Sequence, residues 1–331
     1  MFLVADGNNL AWAGFHSLRQ AMGAETPEQL TRAALLGLTQ SVVGLAVRRG
    51  EPPGGAMPLF QTAQPLTRLA VCFDEGRPLR RRSIFPGYQL GRESTAAFRD
   101  NERFVLEAIA AFVDAARCLP IEVVRGKDTE ADDLIAALVL GSGTTAARIA
   151  STDRDFLQLV DERVSIYSPV KRLVIDAMNF TEATAPSGAD GRPVAFPRER
   201  YLDYRALAGD TSDDLPGIPG LGALTAARML AEAPAETYFE HPGRLEAVLG
   251  RRNRKLEELL ASGEGHAIYE RNRGLMDLRL GAAHFPDLTG FTRRGAWDEP
   301  AFRDWVAAQR VQGLDLETAR HTFAAVAHAG H

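Results

Sequence analysis

The sequence predicts an α/β fold, with a mainly parallel central sheet and flanking helices, followed by a smaller helical region. Short apolar runs typical of buried strands alternate with helix-like stretches, which is the pattern of strand–helix–strand units. From about Arg198 onward the pattern is almost entirely helical and contains no convincing strand. The predicted strands are Phe2–Ala5, Leu69–Phe73, Ile121–Val124, Arg148–Ala150 and Val164–Tyr167.

Helix boundaries and loops are marked by particular residue types. Pro27 stands in the first-turn position that proline favours in a helix. Gly- and Pro-rich composition predicts loops at Gly50–Gln64 and Thr184–Pro197. The predicted helices run from Thr26 to about Arg49, from about Thr95 to Arg117, and onward from Thr129.

Composition and charge limit the class of protein. The chain has 331 residues, of which 45% are apolar and 24% charged, as in an ordinary globular protein. A net charge of −5 argues against a protein that simply coats nucleic acid. The apolar N-terminal run is too short for a signal peptide, and no run approaches a membrane span. The absence of such a run predicts a protein that does not engage a membrane. Two cysteines, Cys72 and Cys118, cannot form a disulfide framework, which favours a cytoplasmic protein.

Three of the predicted strands lead into aspartate. Asp6 follows the first strand and Asp74 the second, while Asp153 and Asp155 come shortly after the fourth. The carboxyl ends of parallel strands meet at one edge of the sheet, where open α/β folds place their active sites. We therefore expect these carboxylates to converge.

Two further acidic groups accompany them. So many carboxylates in one site would repel one another and raise their pKa values, a conflict that divalent cations resolve. An all-oxygen ligand set without His or Cys indicates Mg²⁺ or Mn²⁺ rather than Zn²⁺. The additional acids are Glu130, Asp132 and Asp133 at the start of a predicted helix, and Asp210, Asp213 and Asp214 before a Gly-rich turn.

Each acid also has a local structural interpretation. An aspartate after a strand is commonly a loop residue or a helix cap, and acids in a first turn favour the helix dipole. Asp210 and Asp213 could likewise cap the helix that follows them. The joint occurrence of all these acids, in this order and at the ends of alternating elements, favours a metal site.

The segment Leu215–Gly222 has the sequence Leu-Pro-Gly-Ile-Pro-Gly-Leu-Gly and precedes a helix-like run at Ala223–Ala231. This is a helix–hairpin–helix signature. Its uncovered backbone N–H groups and the following helix N-terminus can hold a phosphate without reading base sequence. The alternative is a plain turn between two helices. The expected DNA contacts are Gly217, Ile218, Gly220 and Gly222, with K⁺ as a candidate ion at the hairpin.

An arginine-rich stretch follows directly from Asp74. Arginines interleaved with aromatic residues suit single-stranded or frayed nucleic acid, through phosphate pairing and base stacking. A solvated charge run is the alternative, and the position beside an acid-bearing strand favours nucleic-acid contact. The predicted contacts are Arg77, Arg81, Arg82, Tyr88 and Arg92, with Arg80 and Phe85 among them.

These motifs, in this order, resemble those of the 5′-nuclease (flap endonuclease) family, which includes the nuclease domain of bacterial DNA polymerase I and stand-alone enzymes. The resemblance covers roughly residues 1–282, includes Asn-Arg-Gly-Leu-Met at 272–276, and is closest in kind to the stand-alone form. The motifs are Asp-Gly-Asn-Asn-Leu at 6–10, Phe-Asp at 73–74, Glu-Ala-Asp-Asp at 130–133, Thr-Asp-Arg-Asp at 152–155, and Tyr-Arg-Ala-Leu-Ala-Gly-Asp-Thr-Ser-Asp-Asp-Leu-Pro-Gly at 204–217.

The resemblance implies a domain organisation and a set of ligands. It implies a PIN-like α/β nuclease domain at 1–200 with a helical arch at about 77–103, a helix–hairpin–helix region at 201–282, and an extension of unknown role at 283–331. It places Asp6, Asp74, Glu130 and Asp132 around a first metal. It places Asp153, Asp155 and Asp213 around a second metal, with Asp210 close by and Asp133 as a ligand or its neighbour. All of these acids are candidate catalytic residues.

The chain departs from the family pattern at several positions. Ala13 stands where many members have Arg, and Gln89 where the arch usually has Lys. Leu224 stands where Lys often follows the hairpin, and Asp214 replaces a common Asn. Because the metal-site acids all remain, these departures concern the grip on substrate rather than the chemistry.

The expected function is that of a structure-selective 5′-3′ exonuclease or flap endonuclease that hydrolyses DNA phosphodiester bonds with two Mg²⁺ ions, for which Mn²⁺ would substitute. Its expected partners are DNA with 5′ flaps, nicks or ends, RNA–DNA primers, and a replicative polymerase, and we expect a monomer.

Three alternatives stay open. One is an RNase H-like 5′ nuclease that removes RNA primers. Another is a poorly catalytic protein that binds DNA junctions, which only Ala13, Gln89 and Leu224 favour. A phosphatase with Asp6 as nucleophile would need a second Asp two residues on, where the chain has Asn8. For His16 we expect a packing role rather than that of a general base.

Overall fold

A computed structural model describes residues 1–47, 65–311 and 314–329, so the loop predicted at Gly50–Gln64 lies outside the described residues. The chain forms two compact units. The first comprises Met1–Arg77, Ala96–Val174 and Gly281–His331, and the second comprises Pro78–Thr95 and Ile175–Leu280. The functional domains predicted at 1–200, 201–282 and 283–331 follow other boundaries and stay a prediction.

The strands of the described residues form a seven-stranded sheet with the order β6–β5–β4–β1–β2–β3–β9, and a short antiparallel pair of β7 with β8. They are β1 Phe2–Asp6, β2 Arg68–Glu75, β3 Glu122–Lys127, β4 Ala147–Ala150, β5 Val164–Ser168, β6 Leu173–Ile175, β7 Gly209–Asp210, β8 Leu215–Pro216 and β9 Thr292–Arg294.

The helices separate these strands and build the second unit. They are α1 Gly7–Met22, α2 Pro27–Val47, α3 Leu79–Ile84, α4 Leu90–Ser94, α5 Ala96–Ala115, α6 Ala131–Gly141, α7 Phe180–Thr184, α8 Tyr201–Ala208, α9 Ala223–Glu232, α10 Glu236–Glu240, α11 Leu245–Leu249, α12 Arg254–Ala261, α13 Glu264–Met276, α14 Leu278–Ala282, α15 Glu299–Ala308 and α16 Leu316–Ala329.

The five strands that the sequence predicts are confirmed, and their pairing is parallel. β1 pairs with both β2 and β4, β2 pairs with β3, and β4 pairs with β5, all in parallel. The register places Asp6 opposite Cys72, so β1 and β2 end at the same edge of the sheet. The predicted fold class is therefore correct, and the strand ends that carry the acids share one edge.

The expectation of no strand after Arg198 is wrong. Thr292–Arg294 forms β9, which pairs antiparallel with β3. Its sequence, Thr-Arg-Arg, is short and polar and lacks the alternation of apolar and polar residues that marks a strand. This segment is therefore a strand because it pairs with β3. By covering the backbone of β3, β9 protects an edge that would otherwise be open to another chain.

The predicted helices are present with shifted ends. α6 begins at Ala131 rather than at Thr129, because Glu130 has extended backbone angles and is the N-cap residue. The predicted arch at about 77–103 is not one helical segment, because it contains α3, α4 and the start of α5.

A large part of the first unit's core is formed by α1, α2 and α5 with β1 and β2, and buried residues of α6 also pack against these two strands. The first two of these helices approach closely, since a Cβ on Gly14 would lie 2.6 Å from Cα of Gly37. The C-terminal helices α15 and α16 complete this core, with Phe302 and Phe323 almost fully buried in it. Residues after 283 thus have a structural role that the sequence did not predict.

In the second unit, α13 packs against α8 through buried polar contacts. The Asn272 side chain is fully buried, and its Nδ2 donates to the carbonyl oxygens of Ala206 and Pro216, each at 3.0 Å. The Tyr269 hydroxyl donates to Asp203 at 2.8 Å. These bonds fix the segment that leads into the hairpin. Among the described residues no helix is both long and apolar enough to cross a membrane.

Candidate metal centre and nucleic-acid interface

Five carboxylates of the first unit come together at the carboxyl edge of the sheet. Burial raises the pKa of Asp132, and the nearby charges of Asp153, Asp6, Glu130 and Asp74 raise it further. Because like charges act in this way only at short range, the structure brings these five predicted ligands together.

Asp6 is held from two sides at the end of β1. Its Oδ1 accepts the Asn9 backbone N–H at 3.0 Å, so it caps α1, and its Oδ2 accepts the Ser151 hydroxyl at 2.8 Å. The side chain is buried, and this burial, together with the charges of Asp74 and Asp153, raises its pKa to about 7. Asp6 is therefore a helix cap, as the local interpretation has it. A capping role alone does not explain why the carboxylates of Asp74 and Asp153 lie nearby.

Asp74 ties β2 to α6. Its Oδ1 accepts the Ala131 backbone N–H at 2.7 Å, which is one of the unpaired donors at the start of that helix. Glu130, the residue at the N-cap position, makes no side-chain capping bond. A carboxylate from another strand therefore caps α6, and Glu130 remains with the acidic group.

Asp153 and Asp155 are ordered by the turn that follows β4. The Asp153 N–H donates to Ser151 Oγ at 3.0 Å, and Asp153 Oδ1 accepts the Asp155 N–H at 2.8 Å. Asp155 is buried, and so is Asp133, whose Oδ1 would lie only 1.9 Å from a Cβ at Gly281. Asp133 therefore packs against the returning backbone at Gly281.

The donor set of this edge fits hard divalent cations. It consists of carboxylate oxygens, which Mg²⁺ and Mn²⁺ prefer over the His and Cys ligands of zinc sites. A single ionised carboxylate has about four acceptor sites, so the bonds to Asp6, Asp74 and Asp153 orient these groups without exhausting them. Burial raises the pKa values of Asp6 and Asp132, and the charges of the neighbouring carboxylates raise them further.

The remaining predicted acids belong to the second unit. Asp210 accepts the Ser212 N–H at 2.8 Å and forms an ion pair with Arg205. Burial would raise the pKa of Asp210, but Arg205 and the Ser212 bonds outweigh it and lower that pKa. Asp213 is buried one turn later. Asp210 therefore caps the short 3-10 turn Thr211–Asp213 rather than α9, and its catalytic role stays a prediction.

The hairpin has the backbone features that its sequence predicts. Gly220 has φ of 81°, a left-handed angle that glycine adopts without strain. A Cβ on Gly217 would lie 2.3 Å from the Ala208 carbonyl oxygen, so glycine is required there for close packing. α9 then starts at Ala223 with no described side chain capping its N-terminus, and Gly220 and Gly222 are exposed.

The prediction for Ile218 needs correction. Its side chain is buried, and its N–H donates to the Leu207 carbonyl oxygen at 3.0 Å. Ile218 therefore anchors the hairpin to α8, and neither its side chain nor its N–H is available to DNA. The sequence around Ile218, between Gly217 and Pro219, gave no sign that this residue is buried.

The predicted DNA contacts of Arg81 and Tyr88 also need correction. Arg81 is 2% exposed and its Nε donates to the Leu275 carbonyl oxygen at 2.9 Å. Tyr88 is 4% exposed and packs in a small apolar cluster with Leu215 and Leu275. Burial leaves neither side chain a surface for phosphate or base, so both hold the fold of the second unit.

Other basic predictions lie at the surface or are partly buried. Arg77 forms an ion pair with Glu102 at 3.0 Å and is 45% exposed. Arg82 pairs with Glu93 at 2.6 Å and donates to the Tyr88 carbonyl oxygen. The Arg92 side chain lies outside the described part of the structure. Nucleic-acid contact by these three arginines stays a prediction.

Three polar residues that the prediction omitted organise the carboxylate edge. Asn8 Oδ1 accepts the Asp74 N–H at 3.1 Å, and Asn9 Oδ1 accepts the Thr152 N–H at 3.1 Å. Ser151 bonds Asp6 and the Asp153 N–H. The two asparagines thus tie the end of β1 to the ends of both neighbouring strands. The only sequence signal was their place directly after Asp6.

Comparisons with known proteins agree with this geometry. The family model described as 5′-3′ exonuclease, N-terminal resolvase-like domain, matches residues 1–185. DNA polymerase I of Mycobacterium tuberculosis is 33% identical over 280 residues, which cover 83% of this chain and 27% of the polymerase. The thermostable DNA polymerase I of Thermus thermophilus is 29% identical over 250 residues, covering 72% of this chain and 25% of the polymerase. The chain thus spans about a quarter of the length of these polymerases.

Solved structures show the same fold. The flap endonuclease of bacteriophage T5, in complex with DNA and metal ions, has 16% identity and a TM-score of 0.59, with 98% of each chain covered. The T5 5′-exonuclease with bound zinc has 17% identity and a TM-score of 0.58, covering 100% of this chain and 99% of that chain. Human GEN1 in complex with Holliday junction DNA has 13% identity and a TM-score of 0.56, covering 98% of this chain and 71% of that chain. With the family model matching more than half of its residues, the chain belongs to the 5′-3′ exonuclease family.

Proposed function

We propose that the protein is a metal-dependent, structure-selective 5′-3′ exonuclease or flap endonuclease that hydrolyses DNA phosphodiester bonds. The observation that carries this proposal is the convergence of Asp6, Asp74, Glu130, Asp132 and Asp153 at one sheet edge. Its family relatives include DNA polymerase I, and its structural neighbours include a flap endonuclease with DNA and metal ions.

Mg²⁺ is the proposed cofactor, and Mn²⁺ would substitute for it. Asp6, Asp74, Glu130 and Asp132 would hold one ion, and Asp153 and Asp155 would contribute to a second. The placement of Asp213 at the second ion rests on the family resemblance alone. Bound divalent ions would supply an acidified water and stabilise the charge on the leaving oxygen.

The chain's own residues contribute orientation. Asn8, Asn9 and Ser151 hold the carboxylates of the sheet edge at fixed positions, so little reorganisation is needed when cations and phosphate arrive. At the hairpin, the exposed backbone N–H groups of Gly220 and Gly222 and the N-terminus of α9 offer donors to a duplex phosphate, with K⁺ as a candidate ion there.

The proposed partners are DNA flaps, nicks and 5′ ends, together with a replicative polymerase and RNA–DNA primers. We place the protein in the cytoplasm as a monomer. The main alternative is a 5′ nuclease specific for RNA primers, because a hairpin that holds the duplex backbone does not determine whether the 5′ strand is DNA or RNA.

Separating binding from cleavage tests the proposal. Asp153→Asn keeps the Oδ1 acceptor for the Asp155 N–H but removes a charged ligand. We expect it to reduce cleavage of a 5′-labelled flap duplex at least 100-fold, while affinity for that duplex changes less than about threefold. Undiminished cutting would remove the metal assignment. The same flap with an RNA 5′ strand distinguishes the alternative, which requires cleavage of that strand only.

A further inference from the structure

Gln89 has an unusual backbone conformation. It lies directly before α4, and its φ of 56° is in the left-handed region, which residues with a side chain rarely adopt. Such strain persists only where surrounding contacts determine the conformation, and it is concentrated at functional sites. The contacts of Gln89 therefore show what maintains its conformation.

Those contacts lead to Asp213. The Gln89 backbone N–H donates to the Asp213 carbonyl oxygen at 3.0 Å. Its side-chain Nε2 donates to Asp213 Oδ1 at 2.8 Å and lies 3.2 Å from the Tyr88 hydroxyl. One residue thus fixes both the backbone and the carboxylate of a predicted metal ligand.

A second pair of residues repeats the connection. The Gly91 N–H donates to Asp214 Oδ2 at 2.6 Å, and a Cβ on Gly91 would lie 2.4 Å from Asp214 Oδ1. Asp214 also has φ of 56°. We call Gln89 and Gly91, with their hydrogen bonds to Asp213 and Asp214, the Gln89 latch.

The latch rests on a rigid support. Tyr88, which precedes it, is buried against Leu215 and Leu275. The Arg82 Nε donates to the Tyr88 carbonyl oxygen at 3.1 Å, and Arg82 is paired with Glu93. The amide of Gln89 is therefore presented to Asp213 from a fixed position.

We propose that Gln89 is a positioning residue that orients the Asp213 carboxylate for a divalent cation, an inference that rests on the proposed function. A neutral amide donor fixes one carboxylate oxygen without cancelling its charge, so the group keeps its attraction for the cation. A lysine at this position would also reach a carboxylate, but its charge would compete with the cation. The residue type at position 89 then sets the concentration of Mg²⁺ that the protein needs.

Gln89→Gly separates this role from a structural one. Glycine keeps the backbone N–H and accepts the left-handed φ without strain, so only the side-chain amide is lost. We expect Mg²⁺ affinity, measured by calorimetric titration of the DNA-free protein, to fall about tenfold or more. The Mg²⁺ concentration for half-maximal flap cleavage should rise in parallel. KM for the flap duplex and the melting temperature of the metal-free protein should not fall.

Two further variants complete the test. Leu90→Ala changes the adjacent side chain, which is 48% exposed, and should leave the Mg²⁺ dependence unchanged. Gln89→Lys should weaken Mg²⁺ binding in the absence of DNA, because the ammonium competes for Asp213. An unchanged Mg²⁺ affinity in Gln89→Gly, or a lowered melting temperature as its only effect, would overturn the inference. If the unaltered protein neither bound Mg²⁺ nor cut DNA, the proposed function itself would fail.

Discussion

At the scale of single residues, the acids at the sheet edge are held in place by polar side chains from distant parts of the chain. Asp6, Asp74 and Asp153 each follow an apolar run, and parallel pairing brings such positions together. The residues that orient them were not predictable. Asn9 and Ser151 act on partners more than 140 positions away, so only the folded chain reveals those bonds.

Asp6→Asn should stabilise the metal-free protein. Asparagine can still accept the Asn9 N–H and so preserve the cap, while the buried charge and its repulsion from Asp74 and Asp153 disappear. We expect the melting temperature in EDTA at pH 8 to rise by about 1–2 °C, the shift that corresponds to about 1 kcal/mol in a chain of this length. Asp6→Ala is the control, because loss of the cap costs about 1 kcal/mol and offsets that gain. A melting temperature for Asp6→Asn at or below that of the unaltered protein would show that the repulsion is unimportant.

The raised pKa of Asp6 also predicts a dependence on pH. Its folded value of about 7 exceeds the ordinary value of 3.8, so the folded protein binds more protons than the unfolded chain between these values. The contribution of Asp6 to stability is therefore greatest below about pH 4 and is lost as pH rises to about 7. Thermal melts in EDTA across this range should show the decline in the unaltered protein and a flatter profile in Asp6→Asn.

Saturating Mg²⁺ should oppose the loss of stability that the metal-free protein shows as pH rises. Carboxylates must be deprotonated to bind a metal, so the stabilisation by Mg²⁺ should increase as pH rises through 7. Identical pH profiles with Mg²⁺ and with EDTA would contradict the placement of a cation beside Asp6.

At the scale of elements, the strands and the hairpin follow from local sequence, whereas the environment of the arginines does not. Five strands and α9 appear where periodicity and turn residues place them. Arg81 and Tyr88 looked like exposed nucleic-acid contacts because charge and aromaticity do not reveal burial. Their environment is set by α13, nearly 200 residues later in the chain. β9 was missed for the same reason, since its strand character depends on β3.

Arg81→Met tests the corrected role of this arginine. Methionine fills similar apolar space but leaves the Leu275 carbonyl oxygen without its donor. We expect the free energy of unfolding to fall by about 1–3 kcal/mol, with unchanged affinity of the folded protein for a flap duplex. Denaturant unfolding measures the free energy of unfolding, and binding titrations at one salt concentration measure the affinity for the flap duplex. Weaker binding without a loss of stability would restore Arg81 as a DNA contact.

Ala223→Pro tests the hairpin. Proline is tolerated in the first position of a helix, so it removes a backbone N–H from the start of α9 at little cost in stability. Gly220 would be a poorer choice, because its φ of 81° is closed to proline. We expect affinity for duplex DNA to fall about fivefold to tenfold, the value of roughly 1 kcal/mol for a hydrogen bond.

Ala223→Gly is the matched control for the hairpin, because it alters the same residue and keeps the N–H. It should bind duplex DNA as the unaltered protein does. Equal affinity of the proline and glycine variants would remove the N-terminus of α9 from the proposed interface.

At the scale of the whole chain, each compact unit is assembled from separate stretches of sequence. The second unit takes residues 78–95 and 175–280, and the first unit takes the remainder, including the C-terminal segment. A linear division into domains could not anticipate this. The C-terminal helices carry no family motif, yet Phe302 and Phe323 are part of the core under α2. The sequence predicted the class of fold, while the limits of each unit depend on long-range packing.

Mapping the cleavage products of a 5′-flap duplex, with Mg²⁺ and with EDTA, tests the nuclease activity itself. We expect cuts near the junction of single strand and duplex in Mg²⁺ alone, leaving a 5′ phosphate and a 3′ hydroxyl. Tight binding without cleavage in either Mg²⁺ or Mn²⁺ would contradict this expectation, and the protein would then be a binder of DNA junctions rather than a nuclease.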